Sequence, residues 1–429
     1  MNSFRVPKGT QDILPGEVER WQYLEEKARD LCRRFGYQEI RTPIFEQTEL
    51  FARGVGETTD IVTKEMYTFE DKGGRSMTLR PEGTAGVARS FVQHKMHGYA
   101  DQPQKLFYIG PMFRYEQPQA GRWRQLHQFG VEAIGSDDPA IDAEVISIAY
   151  HFYREIGLDG LSVDLNSIGC PVCRPQFRQQ LIEHFRPVIG EFCKDCQERL
   201  ERNPLRIMDC KVDAGHPAMA TAPSILDHLC EECDEHFSKV QQYLKELGIP
   251  FTLNPRLVRG LDYYTRTAFE IIESRIGAVS TLCGGGRYNG LIEQLGGPAE
   301  APGIGFAVGL ERAILALDVQ KVQLPMTPRF DLYVVTLDDA SHVEGARLLQ
   351  QLRMAGYAAD MDYMGRKMKG QIKAADRLEI PFVLLLGEDE LAKNVVVFKE
   401  MATGEQQEVA LSQLETVLAE KLKKNREDE

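Results

Sequence analysis

The sequence contains no run of about 18 apolar residues, the length that a membrane-spanning helix requires. Its opening residues, MNSFRVPKGTQDILPGE, lack the apolar core of a secretory signal peptide. These two absences argue against membrane insertion and against export. We therefore expect a cytoplasmic protein.

Positive charge is in short supply, because 51 lysine and arginine residues stand against 64 acidic residues and the net charge is −13. This balance excludes a protein coated in basic surface for indiscriminate nucleic-acid binding, although it is compatible with a local basic patch. The nine cysteines are odd in number and mostly form Cys-x-x-Cys pairs. That pattern disfavours a disulfide framework and indicates reduced thiols or metal ligands.

Two common nucleotide-binding loops are also missing. The glycine-rich segment GGGRYNGL, residues 284–291, matches neither the dinucleotide fingerprint nor the phosphate loop that ends in Lys-Ser/Thr. Taken alone, this segment is interpreted as a tight turn in a loop.

The length and composition of the chain predict a folded, multidomain protein, since 43% of its 429 residues are hydrophobic and 27% are charged. An amphipathic helix is predicted within residues 15–35, where Gly36 would end it. Strand-like segments at 105–116 and 124–135 flank QPQAGRW and predict a long hairpin with a polar tip. Residues 303–317, GIGFAVGLERAILAL, predict a strand that runs into an apolar helix.

A helical insertion is predicted at 168–254, a segment that contains seven of the nine cysteines. It would separate two parts of one core, 1–167 and 255–322. Prolines in KVQLPMTPRF mark a linker. Beyond it, alternating strands and helices predict a small α/β domain at 329–429, with a charged C-terminal tail that is expected to fray.

Polar residues on the hairpin suggest a binding site. Arg114, Glu116, Arg122 and Arg124 are suited to face a polyphosphate, although a solvated hairpin edge carries similar charges. Gln128 and Glu132 share strand parity with Arg124, so an extended strand would point all three side chains to one side. A polar face on a central strand favours a pocket.

Arginines beside aromatic rings form a second candidate site in RLVRGLDYYTRTAFE, residues 256–270. Arg256, Arg259 and Arg266 lie in a segment that reads as a partly buried strand, where a guanidinium needs an anionic partner. An anionic substrate is one such partner. In MTLRPEGTAG, Glu82 and Thr84 stand at a turn before a predicted helix, where a helix cap explains Thr84 almost as well as binding does.

Five segments carry a family resemblance: PKGTQDILPGE, FYIGPMFRYEQPQAGRWRQLHQFGVE, LVRGLDYYTRTAFE, GGGRYNGL and GIGFAVGLER. In this order they resemble the histidyl-tRNA synthetases, a family of class II aminoacyl-tRNA synthetases, over almost the whole chain. LVRGLDYY is the most specific segment. Class I signatures are absent, since no His-x-Gly-His occurs.

The resemblance implies an α+β fold with an antiparallel-sheet catalytic core, a helical insertion and a C-terminal α/β anticodon-binding domain. It implies a ligase for protein biosynthesis that activates L-histidine with ATP and Mg²⁺ to histidyl-adenylate, releasing pyrophosphate. The histidyl group would then pass to the 3′-terminal ribose of tRNA(His). A homodimer is expected on the same ground.

Site residues follow from the same resemblance. Glu82, Gly83, Thr84 and Gln128 would bind the α-ammonium end of histidine, and Glu132 and Tyr264 would bracket its imidazole, with Tyr263 as a wall. Arg114, Glu116, Arg122 and Arg312 would bind ATP, with Arg114 at the α-phosphate. Arg259 would lie against both the substrate carboxylate and the α-phosphate, so Arg259 and Arg114 are the predicted catalytic residues.

Some positions qualify this picture. Strand alternation would place Tyr263 and Tyr264 on opposite faces unless Gly260 and Asp262 bend the chain. Leu126 stands where the family usually has a phenylalanine that stacks on adenine, and Trp123 is a candidate substitute. Gln117 stands where an arginine is common in the hairpin tip.

The cysteines of the insertion predict a structural zinc site. The four residues in Cys170-x2-Cys173-x19-Cys193-x2-Cys196 have zinc-ligand spacing, and Cys210, Cys230 and Cys233 are additional or alternative ligands. The family does not require this metal, and small buried cysteines are the simpler alternative.

A basic segment in the C-terminal domain, GRKMKGQIKAADR, is interpreted as an RNA-facing patch or as a solvated helix face. Its basic residues are Arg366, Lys367, Lys369, Lys373 and Arg377.

Two rival functions stay open at this point. One is the regulatory paralogue of ATP phosphoribosyltransferase, which typically lacks the anticodon domain. The other is a class II synthetase for another amino acid, against which Glu132, Tyr263 and Tyr264 argue.

Overall fold

A large sheet organises the first of the two units into which the chain divides between Leu324 and Pro325. The structure is a computed structural model that describes residues 4–56, 59–326 and 328–428; Thr327, in the predicted linker, lies outside them. None of the helices in these ranges is long and apolar enough to cross a membrane.

The strands of the first unit are β1 (Gln38–Glu39), β2 (Phe45–Gln47), β3 (Tyr67–Glu70), β4 (Ser76–Leu79), β5 (Gln104–Phe113), β6 (Gln125–Ile134), β7 (Ser162–Ser167), β8 (Phe251–Leu253), β9 (Thr265–Ile272), β10 (Thr281–Arg287) and β11 (Gly303–Gly309). Its helices are α1 (Val18–Arg34), α2 (Thr48–Val55), α3 (Thr84–Gln93), α4 (Pro139–Glu155), α5 (Arg174–Phe185), α6 (Lys194–Arg202), α7 (Pro217–Ala220), α8 (Glu231–Glu246), α9 (Leu291–Gln294) and α10 (Leu310–Gln320).

The main sheet has the strand order β1-β5-β6-β11-β10-β9-β7-β8. Its six central strands are all antiparallel, and the short strands β1 and β8 add parallel edges. The predicted hairpin is present as β5 and β6, paired from Gln104 with Ile134 to Phe113 with Gln125. The predicted antiparallel core is confirmed.

One face of this sheet packs against helices, and the other face is available to a site. Phe129, Val131 and Ala133 of β6 are buried in one core with apolar residues of α1, α4 and α10. The predicted first helix is present as α1, which buries Trp21 and Leu24 in that core and is followed by Gly36 at φ 78°. Because side chains alternate along a strand, the even-numbered residues of β6 face the other side and are available to a site.

The predicted insertion contains α5 to α8 and strand β8. Apolar residues between Phe177 and Ile225 form a small core of their own, whereas α8 packs its Phe237 and Val240 into the main core. A buried network ties α8 to that core, because His236 and Arg287 both contact the Asp142 carboxylate, at 2.9 and 2.5 Å. Burial opposes the charge of Asp142, but the charge of Arg287 and the contact with His236 outweigh it, so the pKa of Asp142 is lowered.

The second unit is an α/β domain. Its elements are β12 (Leu332–Thr336), α11 (Asp339–Met354), β13 (Ala359–Met361), α12 (Met368–Arg377), β14 (Phe382–Leu386), α13 (Glu388–Lys393), β15 (Val395–Glu400), β16 (Gln406–Ala410) and α14 (Leu414–Asp428). The sheet order is β13-β12-β14-β15-β16, parallel at β13, β12 and β14 and antiparallel beyond. The sequence analysis missed α13 and β16, and the tail that was expected to fray is helical through Asp428.

Candidate active site

A cavity of about 470 Å³ lies in the first unit and is lined by residues of β6, β9, β10 and β11 and of the segments that lead into α3 and β9. The structure brings most of the predicted site residues together here. Those that line the cavity are Glu82, Thr84, Arg114, Glu116, Arg122, Gln128, Arg259, Tyr263, Tyr264 and Arg312. Gly83 and Glu132 do not line it.

One wall of the cavity is formed by β10, whose residues Thr281 to Gly284 line it. The segment that was interpreted as a tight turn begins in this strand, where Gly284, Gly285 and Gly286 pair on both sides with β9 and β11, and it turns only at Asn289 and Gly290. A Cβ atom at Gly284 would overlap the guanidinium of Arg259, and one at Gly285 would overlap the carbonyl oxygen of Gly305. The turn prediction holds at Asn289 and Gly290 but is wrong for the three glycines of β10, because they leave room for a neighbouring side chain and backbone rather than for a bend.

One end of the cavity is rich in arginine. Arg114 and Arg122 lie 3.8 and 3.5 Å from the carboxylate of Glu116. Arg312 donates to the carbonyl oxygens of Thr281, at 2.7 Å, and Gly121, at 3.3 Å. Burial lowers the pKa of Arg312, and the nearby charges of Arg122 and Arg114 lower it further. Three cations around one carboxylate leave this end in need of an anion.

Arg259 has contacts towards both ends of the cavity: it lies 5.8 Å from the centroid of the Tyr264 ring, and its partner Glu270 accepts from Thr281, whose carbonyl oxygen accepts from Arg312. Its guanidinium pairs with Glu270 of β9, and its Nε is buried without a hydrogen-bond partner in the described structure. Burial opposes the charge, but the carboxylate of Glu270 outweighs it, so the pKa of Arg259 is raised. The other arginines of this segment lie elsewhere: Arg256 is exposed, and Arg266 pairs with Asp137 at 2.8 Å.

The opposite end of the cavity offers acceptors and aromatic surface. The two carboxylate oxygens of Glu82 each accept one hydrogen bond at 2.8 Å, from the backbone amides of Thr84 and Ala85. The side chain that caps α3 is therefore Glu82 rather than Thr84. These bonds leave further lone pairs on Glu82 for a ligand. Gln128 has a buried Oε1 that accepts no hydrogen bond within the described ranges. A buried acceptor without a donor is the mark of a group that waits for a ligand.

Tyr263 and Tyr264 both line the cavity, and their ring centroids are 4.6 Å apart. The exception that was left open is the one found: the chain bends at Gly260 and turns at Asp262, and β9 begins only at Thr265, so strand alternation does not apply to the two tyrosines. The stretch before the strand bends, so one short segment supplies both rings.

Glu132 lies in a buried position next to the cavity rather than on its surface. It is 0% exposed, and its two oxygens lie 2.6 Å from the hydroxyl of Thr84 and 2.7 Å from that of Tyr288. Burial raises the pKa of Glu132 to about 8. Gly83 also acts indirectly, since a Cβ there would overlap the ring of Tyr108.

We expect Glu132→Gln to remove a pH dependence of stability. Because the folded-state pKa is raised, the contribution of Glu132 is fully present below about pH 4.5 and is lost as the pH rises towards 8, by about 1.4 kcal/mol per pH unit. Thermal unfolding of both proteins at several values between about pH 5 and pH 8 measures this difference. The exposed control Glu246→Gln should follow the wild type, and parallel curves for wild type and Glu132→Gln would contradict the prediction.

Sequence reasoning missed several residues at this site. Glu270 and Tyr288 stand inside motifs that were singled out, so strand parity and the tyrosine in GGGRYNGL were available signals. Asp209 and Lys211 of the insertion also line the cavity. They are remote in sequence from the other site residues, so no local sequence pattern could predict their position.

The hairpin tip departs from expectation at Arg124. Its guanidinium lies over the ring of Tyr115, 3.8 Å from the ring centroid, and it does not line the cavity. The shared parity with Gln128 fails because β6 begins one residue later, at Gln125. Leu126 and Trp123 do line the cavity, whereas Gln117 is exposed and does not.

This fold and site define a class II aminoacyl-tRNA synthetase: an antiparallel sheet that carries an arginine-rich cavity, and a separate α/β domain. The profile of the family described as "Histidyl-tRNA synthetase" matches residues 9–171 and 203–313, and that of an "Anticodon binding domain" matches 331–421. The chain belongs to the histidyl-tRNA synthetase family, as its sequence motifs predict.

Relatives of the chain agree with this assignment. The histidine–tRNA ligase of Geobacillus sp. (strain WCH70) is 60% identical over 422 residues, which are 98% of this chain and 100% of that protein. The histidine–tRNA ligase of Bacillus cytotoxicus is 59% identical over 422 residues, with the same coverage. The crystal structure of apo S. aureus histidyl-tRNA synthetase has 47% sequence identity and a TM-score of 0.82, covering 96% of this chain and 98% of that one.

Proposed function

We propose that the cavity carries out both steps of histidine–tRNA ligation. Histidine and ATP first form histidyl-adenylate and pyrophosphate, and the histidyl group then passes to the 3′-terminal ribose of tRNA(His). The observation that carries this proposal is the set of contacts of Arg259 in the cavity: it lies 5.8 Å from the centroid of the Tyr264 ring and is linked through Glu270 and Thr281 to Arg312.

The first step needs positioning rather than a general base. The histidine carboxylate is already ionised at neutral pH, and it attacks the α-phosphorus of ATP in line with the departing pyrophosphate. Two anions must be held about 3 to 3.5 Å apart while negative charge moves to the leaving group. Fixed cations therefore supply most of the rate enhancement.

Arg259 is proposed to bridge the two reacting anions. Its planar guanidinium stays charged and binds two oxygens at once, which the ammonium of a lysine does less well. In the free protein Glu270 holds this side chain in place, and the unpaired Nε leaves one donor for a substrate. Substrate anions would add to, or partly replace, the contact with Glu270.

The acceptor-rich end is assigned to histidine. Glu82, Thr84 and Gln128 would receive the α-ammonium, and the adjacent rings of Tyr263 and Tyr264 would enclose the imidazole. Tyr264 would meet the ring nitrogens, with Glu132 behind Thr84 as a positioning residue.

The arginine-rich end is assigned to ATP. Arg114 would hold the α-phosphate, Arg122 and Arg312 the outer phosphates, and Leu126 and Trp123 would contact the base. Mg²⁺ is expected to enter with ATP, and Glu116 fits this role because its buried Oε2 accepts no hydrogen bond from the residues described. When bound, Mg²⁺ neutralises phosphate charge and orients the polyphosphate.

The remaining roles are proposed from the family. The C-terminal domain would contact the anticodon through the exposed residues Lys369, Lys373 and Arg377 of α12, beside Arg366 and Lys367. We propose a cytoplasmic homodimer, and structural zinc within the insertion.

Amino-acid-dependent exchange of pyrophosphate into ATP tests the proposed function. Exchange with histidine alone among the twenty amino acids is expected. Exchange with another amino acid would point to a different class II synthetase, and none at all would favour the regulatory paralogue.

A further inference from the structure

Four cysteines meet at the base of the insertion. Cys170 and Cys173 precede α5, and Cys230 and Cys233 lie at the start of α8, 57 to 63 residues away along the chain. Their Sγ atoms all lie within 4.8 Å of one another, and Cys170, Cys173 and Cys230 are separated by 3.4 to 3.8 Å. These distances exceed the roughly 2.05 Å of a disulfide and agree with the edge of about 3.8 Å for a tetrahedron of thiolates around zinc.

A second group of four lies within the small core of the insertion. It consists of Cys193, Cys196, Cys210 and Asp213, whose ligand atoms also lie within 4.8 Å of one another. Cys193 and Cys210 are 3.8 Å apart, and the Sγ of Cys210 lies 3.3 Å from a carboxylate oxygen of Asp213. The backbone amide of Cys193 donates to the same carboxylate at 3.1 Å, which orients it.

We propose that the insertion binds two structural zinc ions, one to Cys170, Cys173, Cys230 and Cys233 and the other to Cys193, Cys196, Cys210 and Asp213. Each group offers four protein ligands, which is the closed set of a structural rather than a catalytic zinc site. A set of four thiolates, or of three thiolates and one carboxylate, suits zinc better than calcium or magnesium, because those two ions prefer oxygen ligands.

This assignment corrects the grouping predicted from spacing. Cys170 and Cys173 do not share a site with Cys193 and Cys196, because α8 brings Cys230 and Cys233 to the first pair and the chain after α6 brings Cys210 to the second. Asp213 was not predicted as a ligand, since a single aspartate has no spacing signature.

The first site lies against the segment that carries the tyrosines. Arg174, next to Cys173, donates to the carbonyl oxygens of Ile168 and Tyr264. The backbone amide of Arg266 donates to the carbonyl oxygen of Gly169 at 2.8 Å. An ion at this site would therefore fix both ends of the insertion beside the histidine end of the cavity.

The second site lies behind two residues of the cavity wall. Cys210 is flanked by Asp209 and Lys211, and both line the cavity together with Arg259. An ion bound to Cys210 would fix the position from which these two side chains reach the substrates. The zinc sites are thus structural supports for the active site, and this inference does not depend on which amino acid is activated.

Metal analysis of the full-length protein tests the proposal. Plasma mass spectrometry of protein purified without added metal is expected to find two zinc ions per chain. The variants Cys233→Ser and Cys196→Ser should each lose one ion, from different sites, whereas Cys32→Ala, at a buried cysteine outside both groups, should retain both.

X-ray absorption at the zinc edge covers the case in which a ligand variant does not fold. The wild-type protein should show about 3.5 sulfur neighbours per zinc at about 2.3 Å, the mean of four at one ion and three at the other. Because the two groups together hold seven cysteines, a mean of four sulfurs per zinc is possible only with one ion per chain, bound by the four-cysteine group, and would remove the second site. Fewer than two zinc ions per chain, or iron in their place, would overturn the proposal.

Discussion

Arg259→Ala is expected to slow histidyl-adenylate formation by a factor of order 10² or more. In the proposed mechanism, the substitution would remove the cation that bridges the two reacting anions and would leave the carboxylate of Glu270 without its partner in the cavity. Attraction at the reacting centre is therefore replaced by repulsion. Pyrophosphate exchange and single-turnover adenylate formation measure the loss.

Three comparison variants separate the causes of that loss. Arg259→Lys keeps the charge without the planar fork, so it should recover part of the rate only. The double variant Arg259→Ala with Glu270→Gln removes the added repulsion. Its rate of adenylate formation should therefore be higher than that of Arg259→Ala alone. Arg256→Ala changes an exposed arginine of the same segment and should retain normal exchange. Near-normal exchange in Arg259→Ala would refute the role of this residue.

Gly284→Ala is expected to have an effect of similar size, about 10²-fold, with little loss of stability. The added methyl group would occupy the position of the Arg259 guanidinium, which is the mobile end of a long side chain and can move away. The fold survives that movement, but Arg259 leaves the position from which it would meet the substrates. A displacement of about 1 Å is enough to produce such a loss.

Two further glycines serve as controls for this substitution. Gly285→Ala would press against the carbonyl oxygen of Gly305, which cannot move without the sheet, so it should lower the melting temperature markedly. A Cβ atom at Gly98 would meet open space, so Gly98→Ala should change neither the melting temperature nor the pyrophosphate exchange activity. Full exchange activity in a stable Gly284→Ala protein would show that the position of Arg259 does not matter.

Sequence reasoning succeeded where a local pattern controls the structure. The apolar spacing of Trp21 and Leu24 predicted α1, and the turn-rich QPQAGRW placed the hairpin. It failed at Gly284 to Gly286, because the reason for three glycines is the close approach of Arg259 and of neighbouring strands. At Tyr263 and Tyr264 it left two outcomes open, and the bend at Gly260 and Asp262 decided that both rings line the cavity.

The candidate site shows the same division. The family motifs named ten of the residues that line the cavity, but they did not name Glu270, Asp209 or Lys211. Glu270 matters only because Arg259 lies beside it, and that contact is set by the pairing of strands. The cysteine pairs were visible in the sequence, whereas their partners were not.

The sequence by itself determined the family, the antiparallel core, the separate C-terminal domain and the identity of most charged groups that line the cavity. Periodicity and side-chain chemistry are local properties, so they can be read along the chain. Only the tertiary structure decided which cysteines lie together, why Arg259 rather than Arg256 or Arg266 lines the cavity, and why β10 has glycine at 284–286. Each of those depends on distances between residues that are remote in sequence, and packing alone sets such distances.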